Sequence, residues 1–97
     1  MSVNAGQYQE YEDRHNPIWK ELEEVLKAHG VHNYSIFLDP NDGSLFGYVE
    51  IEDEARHQSI AQTEVCQRWW QHMSDIMPSN PDHSPKNEPL KEVFHLD

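Results

Sequence analysis

Two strand-like runs, Val31 to Asp39 and Leu45 to Glu52, flank the segment Pro40-Asn41-Asp42-Gly43-Ser44. Proline fixes φ, glycine supplies positive φ, and Asn and Asp bond their own backbone, so the interval is turn chemistry over a hairpin-length gap. A β-hairpin is therefore expected, and everything else must pack around it. Period-two alternation puts Tyr34, Ile36 and Leu38 on one face of the first strand. In the second, Leu45, Gly47, Val49 and Ile51 share one face, and Phe46 and Tyr48 the other. Each strand is expected to bury at least one face.

The flanking segments read as helices. From Gln7 to Lys27, apolar or aromatic residues fall at Tyr8, Tyr11, Ile18, Leu22, Val25 and Leu26, a spacing of three and four. Pro17 interrupts it. A proline lacks the N–H for the preceding turn and disfavours helical geometry at Asn16, so Asn16 is expected to cap a second helix starting at Pro17. That helix should stop near His29, with Gly30 in the left-handed conformation past its end. After the hairpin, Asp53 and Glu54 open a weak helix running through Gln62. Thr63 and Glu64 then start a stronger one carrying Val65, Cys66, Trp69, Trp70, Met73, Ile76 and Met77. Pro78, Pro81, Pro85 and Pro89 mark a loop or extended cover, and LKEVFHL offers a last strand from Leu90 to Leu96. Helix, hairpin, helix, loop and strand make an α+β fold with a mostly antiparallel sheet.

A chain of 97 residues makes one domain, spanning residues 1–97. A domain this small buries only about 60% of its unfolded surface, so pairing with a second copy would help it. The net charge of −11, from 18 acids against 7 Lys and Arg, leaves no basic patch for nucleic acid or an anionic membrane. Cys66 is the only cysteine, which excludes an internal disulfide, and the opening residues have no signal-peptide pattern. No run approaches the ~20 apolar residues of a membrane span. A soluble, cytoplasmic protein is expected.

Chemistry centres on His15, a titratable imidazole at the joint between two helical pieces. Two readings stand: a hydrogen-bonded, inert residue filling the joint, or a proton-transfer group. Tyr11 lies one turn earlier on the same face, so phenol and imidazole can point into a common space. Trp69 and Trp70 are about 100° apart around their helix, and a narrow core face does not hold both equally. Either both are core and boundary residues, or one forms a flat wall against which a sugar ring lies. Tyr34 is a core residue or a hydroxyl donor to the same ligand. His29 and His32 are separated by the helix-breaking Gly30 and the other histidines are scattered, so no metal site is expected. Cys66 reads as a core thiol.

The stretches RHNPIWKELEEVLKAHGVHNYSIFLD, VCQRWWQHMSDIMPSNPD and EVFHLD resemble the L-rhamnose mutarotase family. The resemblance covers most of the chain from Tyr11 onward. It implies a ferredoxin-like βαββαβ unit that pairs through its sheet with a second copy as a dimeric α+β barrel, with no cofactor and no metal. It implies interconversion of the α and β anomers of L-rhamnose, with His15 as proton donor and Tyr11, Tyr34, Trp69 and Trp70 as sugar-binding residues. The expected division of labour has His15 delivering a proton to the ring oxygen and Tyr11 or a water handling the anomeric hydroxyl. The family opens with an apolar strand where this chain has only Met1 to Asn4. The expectation is that the natural chain starts upstream or that this form is poorly stable. The competing readings are a non-catalytic small-molecule-binding module and a dimeric α+β barrel oxygenase-like enzyme.

Overall fold

The computed structural model describes residues 1–97 and contains the expected hairpin. Strands β1 (Val31–Leu38) and β2 (Leu45–Ile51) form a two-stranded antiparallel sheet in which Ile36 faces Gly47 and Leu38 faces Leu45. The register slips between His32 and Ser35, where Asn33 takes a left-handed φ of 46°. This β-bulge sets two residues, Asn33 and Tyr34, against Val49 and reverses the alternation. Buried Val31 therefore lies on the same side as Tyr34, Ile36 and Leu38, which an unbroken strand would have turned away from it. At the turn, Gly43 has a φ of +79°, and a Cβ there would lie 2.6 Å from the Val3 carbonyl oxygen, so only glycine fits.

Four α-helices accompany the sheet: α1 (Tyr8–Arg14), α2 (Lys20–Ala28), α3 (Glu54–Ser59) and α4 (Glu64–Met73), with a single 3₁₀ turn (Ile60–Gln62) before α4. Asp53 caps α3 by accepting from the Ala55 and Arg56 amides, and Thr63 caps α4 by accepting from Cys66. Gly30, at φ +80°, ends α2 as expected. The joint before α2 is longer than the sequence suggests. The Asn16–Pro17 peptide is cis, and the Asn16 side chain turns back to donate to the Glu12 carbonyl at 2.8 Å. Asn16 thus caps the end of α1 rather than the start of α2, and the helix resumes only at Lys20 after an extended Trp19.

The expected strand from Leu90 to Leu96 does not form: no helix or strand follows α4, apart from one bridge between Ser79 and Pro85. A strand needs a partner with a free row of hydrogen-bonding groups beside it. Met1–Asn4 makes only a single bridge, Ser2 to Ser44, at the hairpin's turn, so no third strand is present for this run to join. Leu90, Val93, Phe94 and Leu96 are consequently exposed.

The core is thin. Only 13 of the 97 residues are buried. The buried side chains form one cluster that includes Tyr11, Leu22, Leu45, Trp69 and Met73 and a smaller one of Val31, Ile60 and Cys66. Leu26 and Trp70 pack against both clusters. Because these few side chains do not fill the space between helices and hairpin, a cavity remains. No helix is long and apolar enough to cross a membrane.

Candidate active site

His15 follows the last residue of α1, at the joint that Pro17 imposes. Its Nδ1 lies 2.7 Å from the Tyr11 carbonyl oxygen. A carbonyl only accepts, so Nδ1–H is the donor and the neutral ring keeps its lone pair on Nε2. No protein group engages Nε2, and no buried side-chain polar atom lacks a partner, so Nε2 remains accessible. The ring lies 4.3 Å, centroid to centroid, from Tyr11 and 5.2 Å from Trp69. Burial among these rings lowers its pKa from 6.5, outweighing the Tyr11 hydrogen bond that raises it. His15 is therefore neutral at pH 7.

Two adjoining cavities, of about 690 and 490 Å³, open beneath it and share Tyr11, His15, Leu22, Tyr34 and Trp69 as walls. Small-molecule sites commonly span ~300–1,000 Å³. Trp70 lines the larger one, so every residue singled out in the sequence borders the same space. The bulge explains how β1 contributes, since it turns Tyr34 toward the helices.

The phenols are hydrogen-bond donors here, not bases. Desolvation pushes the Tyr11 hydroxyl far above its ordinary value, and the Tyr34 phenol adds to the rise. The Tyr34 phenol is raised as well, first by burial and then by the nearby Cys66, although the residue is 46% exposed. Neither hydroxyl has a protein partner, which leaves both free to donate to a ligand.

The two indoles divide their roles. Trp69 is 8% exposed, belongs to the core and lines both cavities, with the His15 ring perpendicular to it; Trp70 is half-buried and lines only the larger cavity. Sequence reasoning missed Trp19 and His72. Trp19 meets Trp69 edge-on at 5.2 Å, and His72 lies 5.2 Å from Trp19 and 5.7 Å from Trp69. The three-residue spacing of Trp69 and His72 on one helix was the available signal for His72. No group of three or more His, Cys, Asp or Glu side chains converges on a point where a metal ion could be held. The arrangement suits proton transfer to and from a small polar molecule with an apolar face.

Comparison with known proteins points the same way. A family model described as L-rhamnose mutarotase matches residues 1–96. The L-rhamnose mutarotase of Opitutus terrae is 71% identical over 97 residues, covering 100% of this chain and 93% of that protein. That of Pectobacterium carotovorum is 65% identical with the same coverage. Among solved structures, the crystal structure of an L-rhamnose mutarotase from Formosa agariphila is 41% identical and superposes with a TM-score of 0.91, covering 100% of this chain and 93% of the other.

Proposed function

The chain belongs to the L-rhamnose mutarotase family, and from that premise we propose that it is an isomerase that interconverts the α and β anomers of L-rhamnose. The observation that carries the mechanism is the neutral His15 ring, its Nε2 unengaged, at the edge of a cavity walled by phenols and indoles. Nε2 takes the proton of the C1 hydroxyl. The same proton goes to the ring oxygen as the bond between C1 and that oxygen breaks, giving the open-chain aldehyde. Rotation about C1–C2 and the reverse transfer close the ring on the other face of C1. Nothing is oxidised and no proton is gained or lost, so one acid–base group suffices.

An imidazole in this role supplies about 10²–10⁴-fold. Tyr11 and Tyr34, held protonated, donate hydrogen bonds to sugar oxygens, and Trp69 and Trp70 take the apolar face and its methyl group. A methyl-scale contact is worth ~1–3 kcal/mol, enough to favour a 6-deoxy sugar over its hydroxylated counterpart. Proton movement of this kind needs no cofactor and no metal.

The working unit in this reading is a cytoplasmic homodimer. Phe37, Phe46 and Tyr48 are exposed on the outer face of the hairpin, an apolar surface that a second copy would cover. A free thiol at Cys66 fits a reducing compartment. The net charge of −11 argues against nucleic acid or an anionic membrane as partner.

The test is anomer exchange on L-rhamnose and on L-mannose, which carries a hydroxyl in place of hydrogen at C6. Faster exchange, with L-rhamnose preferred, supports the reading. Binding without faster exchange identifies a binding module, and turnover that needs dioxygen identifies an oxygenase; either overturns it.

A further inference from the structure

We propose that Arg14 and Asp75 form a clamp that positions His15 for proton transfer, an inference that rests on His15 being the acid–base group. Arg14 is the last residue of α1 and the immediate neighbour of His15. Its guanidinium reaches across to the end of α4, donating to the His72 carbonyl at 2.6 Å and to both Asp75 carboxylate oxygens, at 2.9 and 3.4 Å. Its Nε donates to Glu10 at 2.8 Å within α1.

This is more than a surface ion pair. The Arg14 side chain is 16% exposed, and one of its bonds goes to a backbone carbonyl in the last turn of α4. The amide that would ordinarily serve that carbonyl, on Ile76, bonds Met73 instead, leaving the His72 oxygen for Arg14. One cation therefore sits at the C-terminal ends of two helices, where both dipoles favour it. The tie runs beside the working contact: His15 follows Arg14, and Trp69 stands one turn before His72 on α4. The last residue of α1 and the residue that follows it thus fasten to two successive turns of α4. A guanidinium fork fixes angle as well as distance, which a lysine ammonium cannot do.

Without the clamp, the end of α1 is free to lift from α4. The His15 ring then leaves the Trp69 edge, becomes hydrated, and loses its alignment with the substrate. The ionisable groups around it are Tyr11 and Glu12 on α1, Tyr34 on β1 and, across Trp69, His72 on α4. Loss of burial moves the ring's titration upward, and so does deleting the neighbouring Arg14 charge; Asp75→Asn separates the two, because losing an acidic charge moves the ring down while losing burial moves it up.

The experiment compares Arg14→Gln, Arg14→Lys and Asp75→Asn, with Lys27→Gln as a control that removes the exposed pair with Glu23. Each is measured for kcat and KM in anomer exchange on L-rhamnose, and for the His15 titration and tautomer by ¹⁵N NMR without substrate. Arg14→Gln is expected to lower kcat about 10- to 100-fold, the scale of a small misplacement. KM should stay within about threefold, as for an interaction outside substrate binding. The His15 titration should move up toward 6.5, and the fraction of ring with hydrogen on Nδ1 should fall. Arg14→Lys should recover part of each effect, and Lys27→Gln should change none. Unchanged kcat and His15 titration in a folded Arg14→Gln overturn the clamp. If that variant does not fold, Asp75→Asn, at a side chain 66% exposed, decides the matter with the same readouts. Exchange that survives in His15→Ala would instead defeat the reading of His15, and the NMR readouts would still show whether Arg14 orders the ring.

Discussion

The His15 imidazole stands edge-on to the Trp69 indole, with ring centroids 5.2 Å apart and planes at 90°. The contact joins the end of α1 to the middle of α4 and is part of the burial around the ring. Its consequence is electrostatic, because a ring shielded in this way resists taking up a proton.

Activity should therefore hold from pH 8 down through 6.5 and fall only below it, as His15 begins to protonate. Stability follows the same sign. As pH drops through about 6.5, the unfolded chain binds a proton at His15 that the folded chain does not, so the unfolded state gains. This contribution is complete above 6.5 and is lost as pH falls toward the lower folded value. A pH series of kcat/KM, with urea unfolding at neutral and mildly acid pH, measures both.

Replacing Tyr11 by phenylalanine keeps the ring against His15 and deletes only the hydroxyl. Since that hydroxyl has no protein partner, folding stability should change little. A lost sugar hydrogen bond is worth about 0.5–1.5 kcal/mol, or up to roughly tenfold in KM or kcat/KM. Kinetics and urea melts on the same preparation separate the two effects.

Trp69 and Trp70 should differ in how far each supports folding. Trp69→Ala empties a buried site and should cost about 3–5 kcal/mol of stability. Trp70→Ala should cost less, because that side chain is half-buried, yet should weaken sugar binding because it forms cavity wall. Denaturant midpoints paired with sugar titrations check the split, which would be contradicted by equal stability losses and unchanged affinity in Trp70→Ala.

Cys66 is 6% exposed, and burial pushes its thiol up to about 11. Thiolate, not thiol, is the nucleophile, so the native protein should resist alkylation at pH 8 and react readily once unfolded in urea. Mass spectrometry after brief iodoacetamide treatment in each condition reads this directly.

Much of this arrangement was legible in the sequence, and the exceptions have physical causes. Hairpin and turn were marked by local chemistry, Gly30 and Thr63 by helix-end chemistry, and the break that seats His15 by Pro17. The sequence does not tell which flanking helix Asn16 serves, because its side chain can cap either; in the fold it bonds the Glu12 carbonyl, and α2 begins only at Lys20. The strand pattern of Leu90 to Leu96 was real as a pattern, but strand formation depends on a neighbour that periodicity does not report. Asn33 was the one hint of the bulge, as a residue that tolerates left-handed backbone. Its effect on Tyr34 emerges only once both strands are in register. For the site, residue types and spacing singled out His15, Tyr11, Tyr34, Trp69 and Trp70, and the folded chain sets all five around one space; Arg14 escaped notice because its partners lie in α4, far along the chain.

The most direct measurement is saturation-transfer NMR between the two anomeric protons of L-rhamnose, with wild type and His15→Ala at equal concentration. Exchange should be fast with wild type and slower by about 10²–10⁴-fold in the folded variant. Undiminished exchange in His15→Ala would contradict the assignment of proton transfer to His15.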